Sequence, residues 1–115
     1  MKAAETDSRK QAQQLIHDLY NRLIKRENPP ETVTDITDVL LQVYRKLDNE
    51  KNPAALVNRL VNYIYRVGFD NKVHFDKAEE QLIIDLGTIS NRAGFNGVYR
   101  SDAGNKAQFY SVFDR

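Results

Sequence analysis

Apolar side chains recur three and four positions apart in four stretches of this chain, and the breaks between the stretches are short. That spacing lines the apolar residues along one face of a helix, so the chain is limited to folds that bury four helical faces against one another. The first stretch, residues 7–27, carries Ala12, Leu15, Ile16, Leu19, Leu23 and Ile24. Asn28-Pro29-Pro30 ends it, because proline lacks the amide proton a helix needs and biases its predecessor towards extended geometry. The second, residues 34–48, presents Ile36, Val39, Leu40, Val43, Tyr44 and Leu47, with Thr32 or Thr34 as its N-cap. The third, residues 53–69, opens on Asn52-Pro53, a capping residue followed by proline at the first helical position. Its broad face holds Leu56, Val57, Leu60, Val61, Ile64, Tyr65 and Val67, with Tyr63 off the main stripe. The fourth, residues 76–93, starts with Asp76 and Glu79 in the spacing of a capping box. Ala78, Leu82, Ile83, Leu86, Ile89 and Ala93 form its stripe, and Gly94 is a left-handed terminator. Gly87 inside it weakens the helix by about 1 kcal/mol relative to alanine and marks a candidate close backbone approach.

Loops of a few residues force neighbouring helices antiparallel. The economical architecture is therefore all-α, an antiparallel up-down-up-down four-helix bundle. At 115 residues the chain is expected to form a single domain, with an irregular C-terminal segment over residues 94–115. In that segment Gly94, Gly97 and Gly104 interrupt any helix. Phe95, Tyr99, Phe109, Tyr110 and Phe113 are nonetheless too aromatic for a solvated linker. The segment must pack on the helices, anchor a partner, or do both.

Several classes of function lose support from what is missing. The 17 basic residues nearly balance the 16 acidic ones, so no nucleic-acid footprint exists and a helix-turn-helix reader lacks its basic recognition helix. With no cysteine, disulfides and thiolate metal sites are impossible. His17 and His74 have no further ligands at metal-binding spacing, so neither a metal nor another cofactor is expected. Serines 8, 90, 101 and 111 lack a nucleophile-elbow pattern, and the glycines follow no strand that could make a phosphate cradle. Asp76, Glu79, Glu80 and Asp85 are explained by the dipole at a helix start. The chain does not read as an enzyme. A polar beginning from Met1 to Lys10 and the lack of a long apolar run predict a cytoplasmic protein without secretory signal or membrane span.

Three strings are specific enough to be recognisable: residues 56–65 (LVNRLVNYIY), residues 71–75 (NKVHF) and residues 93–100 (AGFNGVYR). Together with Asp102, Gly104, Lys106, Gln108 and Phe109, they resemble the immunity family for pediocin-like (class IIa) bacteriocins. The resemblance extends over nearly the whole chain in helix order and spacing. It is strongest from Leu56 to Phe109, and Tyr110 to Arg115 run past the family pattern. It implies a cytoplasmic four-helix bundle of lactic acid bacteria and their relatives. Such a protein is expected to associate, from inside and peripherally to the membrane, with the mannose phosphotransferase permease once a bacteriocin has engaged it. It would then block the open state, with specificity carried by the C-terminal half.

On this resemblance the partner-binding candidates are Phe95, Asn96, Val98, Tyr99, Arg100 and Phe109, with Arg59 and Arg66 on the third helix. Aromatic and arginine side chains are the usual anchors of interfaces. Phe95 and Phe109 have a competing role, pinning the segment to the bundle. Arg59 and Arg66, seven residues and about 10 Å apart along one helix face, are alternatively solvated or paired with carboxylates of a neighbouring helix. The rival reading from another class is a general helical adaptor or regulatory protein with no toxin connection.

Overall fold

The computed structural model describes the backbone of residues 2–92 and 104–110 and the side chains of residues 8–92 and 104–110. Four helices follow one another: α1 (Lys2–Ile24), α2 (Glu31–Lys46), α3 (Pro53–Asp70) and α4 (Lys77–Arg92). Among the described residues a 3-10 turn, Lys106–Phe109, follows them. Among the described residues there is no strand. Helix α1 packs on α2 and α4, and α3 packs on α4 and α2, which closes the antiparallel bundle.

One apolar cluster fills the space between the helices. Ala12, Ile16, Leu19 and Leu23 of α1 meet Val33, Ile36, Val39, Leu40 and Val43 of α2. Leu56, Val57, Leu60, Tyr63 and Ile64 of α3 and Ile83, Leu86 and Ile89 of α4 complete it. Removing each large aliphatic side chain from water is worth roughly 1.5–3 kcal/mol before ordering entropy is subtracted. Four residues assigned to the stripes from spacing sit at its edge instead: Ile24, Tyr44, Tyr65 and Ala78 are exposed. Tyr63, assigned off the stripe, is buried.

The helix ends show which local rules operate. Helix α1 begins at Lys2, ahead of the expected residue 7, through a run of good helix formers, Ala3, Ala4 and Glu5. It stops at Ile24, and Asn28 takes a left-handed conformation (φ 49°) just before the two prolines. Helix α2 starts at Glu31, three residues before Thr34, and neither threonine caps it. Pro30 is the N-cap, with a fixed φ of −65° and no side-chain cap bond; its carbonyl accepts from the amides of Val33 and Thr34. At the far end, the Arg9 guanidinium donates to the carbonyl of the C-cap residue Leu47, a group that a helix terminus otherwise leaves unpaired, and to that of Glu50 in the connection that follows.

The cap signals at α3 and α4 form as bonds. The Asn52 side chain accepts from the Ala55 amide (3.2 Å) with Pro53 behind it. Asp76 Oδ1 accepts from the Glu79 amide (2.8 Å), while Glu79 Oε1 accepts from the Asp76 amide (3.0 Å), a reciprocal capping box. Glu79 then does something the pattern does not contain. It is buried, and Arg26 Nη2 reaches across from the α1–α2 connection to Glu79 Oε1 at 2.5 Å and to the His74 carbonyl at 2.9 Å. One guanidinium thus ties the first helical hairpin to the second. The close approach suggested at Gly87 is not there: a Cβ would meet nothing nearer than Val61 Cγ1, at 3.9 Å. Gly94 and Ala93 lie outside the described residues.

Candidate functional site

The chain from Gly104 to Tyr110 returns to the bundle and lies across α2 and α3. Asn105 starts the 3-10 turn by accepting from the Ala107 amide at 2.9 Å. Its carbonyl accepts from the Gln108 amide (3.2 Å) and from the Gln108 side chain (2.9 Å). These local bonds point the side chains of Lys106 and Phe109 towards the helices.

Phe109 is fully buried and stands edge-on to the Tyr63 ring, with centroids 5.4 Å apart and planes at 81°. Such a T-shaped pair is worth about 0.5–1.5 kcal/mol beyond the area it buries. Burial, followed by the charge of Asp35, pushes the Tyr63 hydroxyl up to about 12. Lys106 Nζ bridges two carboxylates of α2, Asp35 Oδ1 at 3.0 Å and Asp38 Oδ2 at 3.1 Å. The two aspartates are three residues apart and therefore neighbours on the helix surface. Their hydrogen bonds raise the Lys106 ammonium above its ordinary range. The Tyr110 hydroxyl donates to the Asp38 carbonyl at 3.3 Å.

Gly104 sits against α3. A Cβ there would approach Arg66 Cγ to 3.1 Å and Val67 Cγ1 to 3.5 Å, so the backbone lies directly on the Arg66 stem. The Arg66 head pairs with Asp70 at 3.0 Å, one turn along α3. Arg66 therefore has two jobs in the described structure, an intrahelical ion pair and a floor for the returning chain. Arg59 is half-buried on the same helix. Of the partner-binding candidates, Phe109 is in the core, and Arg66 lies under its segment. Phe95, Asn96, Val98, Tyr99 and Arg100 lie outside the described residues.

The sequence assigns no role to Asp35 or Asp38, and Lys106 enters it only as part of the family resemblance. The signal available was slight: two carboxylates at helical spacing, and a lone lysine among aromatics in an otherwise glycine-broken stretch. Among the described residues no group of histidine and carboxylate side chains is placed to hold a metal ion. His17 is exposed beside Asn21 at 3.4 Å, and His74 is exposed in the α3–α4 connection. No described helix is long and apolar enough to cross a membrane.

The family model of the bacteriocin immunity protein family matches residues 7–91. The probable mesentericin-Y105 immunity protein of Leuconostoc mesenteroides is 52% identical over 97 residues, 84% of this chain and 85% of that protein. The probable leucocin-A immunity protein of Leuconostoc gelidum is 50% identical over the same shares. In three dimensions the chain is similar to EntA-im, described as a bacterial immunity protein conferring immunity to the pediocin-like bacteriocin enterocin A. The TM-score is 0.61 at 43% identity, covering 84% of this chain and 98% of that one. These relatives are named as immunity proteins, not as enzymes. A match over residues 7–91 takes in α2, α3, most of α1 and nearly all of α4, and on it the chain belongs to the bacteriocin immunity protein family.

Proposed function

We propose that this protein makes the cell that contains it immune to a pediocin-like bacteriocin. The observation that carries the reading is the 43% identity to the enterocin A immunity protein over 98% of that chain. A general helical adaptor would account for the bundle but not for membership of an immunity family.

The finer mechanism is binding, from the cytoplasmic side, to mannose phosphotransferase components that a bacteriocin has already engaged. A protein that binds the toxin-engaged permease better than the free one has a favourable coupling with the toxin, so each tightens the other. Protection follows when the ternary complex is closed, because a ligand shifts a population only through its differential affinity for the two states. Phe95, Asn96, Val98, Tyr99 and Arg100, with Arg59 and Arg66 on α3, are the proposed contacts, since aromatic and arginine side chains dominate interface energetics. A peripheral position at the inner membrane face supplies the encounter without a membrane span.

Expression in a bacteriocin-sensitive strain tests the immunity reading. Cells carrying the protein are expected to survive at least one member of a panel of pediocin-like bacteriocins at concentrations that kill the parent strain. Unchanged sensitivity to every member of the panel would remove the reading.

A further inference from the structure

The polar anchor on Lys106 joins parts of the chain that the immunity reading treats separately. Asp35 and Asp38 belong to α2, in the first half of the sequence, whereas the proposed contacts Phe95 to Arg100 lie in the second half, on the chain leading to Lys106. Lys106 holds both carboxylates at hydrogen-bond distance, and all three side chains retain partial solvent exposure. Phe109, three residues further on, is fully buried against Tyr63. Gly104, two residues earlier, rests on Arg66 and Val67 of α3. The end of α4 at Arg92 also bonds back to the bundle, through Gln11 of α1 at 3.3 Å. The described residues on either side, Arg92 and Gly104–Tyr110, therefore both contact the bundle.

Holding both ends of a recognition stretch lowers the entropy lost on binding, since fewer unbound arrangements must be given up. Exposed ion pairs contribute little to global stability, typically about 0.2–1 kcal/mol each. A partly exposed lysine placed between two carboxylates of another element is better explained by where it puts the chain than by how much it stabilises the bundle. We infer that Asp35 and Asp38 of α2, acting through Lys106, are positioning residues for bacteriocin recognition, so that specificity depends on the first half of the chain as well as the second. The inference rests on the immunity reading.

Three variants and two readouts test it. Lys106→Glu sets a third carboxylate beside the first two, Asp35→Asn with Asp38→Asn removes both acceptor charges, and Lys106→Arg keeps the cation. The first readout is hydrogen exchange at the Ala107, Gln108 and Tyr110 amides, all bonded within the turn. The second is protection, taken as the ratio of lethal bacteriocin concentrations for expressing and non-expressing cells. Lys106→Glu is expected to raise exchange at these amides by about tenfold and lower protection by about tenfold, with the helical melt still cooperative. The double asparagine variant should move both readouts the same way, and Lys106→Arg should stay within about threefold of the parent in both. Faster exchange with undiminished protection would overturn the inference while leaving the immunity reading intact. Unchanged exchange would overturn it too, because the carboxylates would then not be holding the segment. A parent protein that protects against nothing removes the immunity reading itself, and the inference with it.

Discussion

The Phe109 ring closes over Tyr63 edge-on, at 5.4 Å between centroids, and this contact makes Phe109 part of the hydrophobic core. Tyr63 stands on a flank of α3 that the other three helices do not account for from spacing alone. With Phe109 in place its exposure is 1%. Phe109→Ala should therefore cost about 3 kcal/mol in chemical denaturation, the low end for a buried phenylalanine because the short segment can come away and rehydrate. Phe109→Leu, which keeps an apolar plug, should cost less than about 1.5 kcal/mol. Equal, negligible losses in both would show that the segment does not stabilise the bundle.

Gly87 offers the opposite sign. It lies inside α4, and a methyl group there would make only an ordinary contact with Val61. Gly87→Ala should raise stability by about 0.5–1 kcal/mol, since glycine gives up more backbone freedom on entering a helix. A rise in Tm checks it, and a fall would mean that α4 and α3 approach more closely than 3.9 Å allows.

Arg26 and Glu79 form the most buried ion pair among the described residues, with side-chain exposures of 28% and 4%. Arg26→Ala leaves a buried carboxylate with only its cap amide, and about 2–3 kcal/mol of destabilisation is expected. Glu79→Ala removes the pair and half of the capping box together. A double-mutant cycle should give a coupling energy above about 1 kcal/mol, whereas simple additivity would deny the pair any energetic role.

Alkaline pH acts on the same seam. Folding raises Tyr63 from near 10 to about 12, mainly by burying it, and raises Tyr110 by burial and Lys106 by its two carboxylate partners. Above pH 10 the unfolded chain therefore releases protons that the folded protein still holds. Stability contributed by these groups is complete below about pH 10 and is lost as pH climbs towards the folded values. Tm should fall between pH 10 and 12, with the last tyrosinate absorbance appearing only as the fold is lost. Phe109→Ala should let Tyr63 ionise earlier, and an unshifted titration in that variant would contradict the burial account.

Periodicity and capping chemistry made the helices legible because both act over a single turn. Asn52-Pro53 and the Asp76–Glu79 pair name their own bonds. Helix α2 starts ahead of the threonines because Pro30, with φ fixed at −65°, already serves as the N-cap and its carbonyl accepts the first helical bond from Thr34. Tyr63 and Tyr65 exchanged roles for a different reason. A helical wheel ranks residues around one helix and cannot know that a segment 46 positions later (Phe109 minus Tyr63) will cover one flank. The Lys106 contacts, 71 and 68 residues away in sequence, are illegible in the same sense. Charge complementarity over that distance has no local signature. The family resemblance in the sequence lies in specific strings of α3, the α3–α4 connection and the C-terminal segment, not in amphipathicity, which any helical bundle shares.

The proposed immunity mechanism reduces to a coupling between toxin and protein at one target, and affinity capture measures it directly. The protein, tagged at its N-terminus, is recovered from membranes of sensitive cells with and without a bacteriocin it protects against. Mannose phosphotransferase membrane components should co-purify only from the bacteriocin-treated cells, and Tyr99→Ala or Arg100→Ala should reduce their recovery while leaving the helical melt unchanged. Equal recovery with and without bacteriocin, or no recovery from cells that are demonstrably protected, would contradict toxin-dependent binding to the permease.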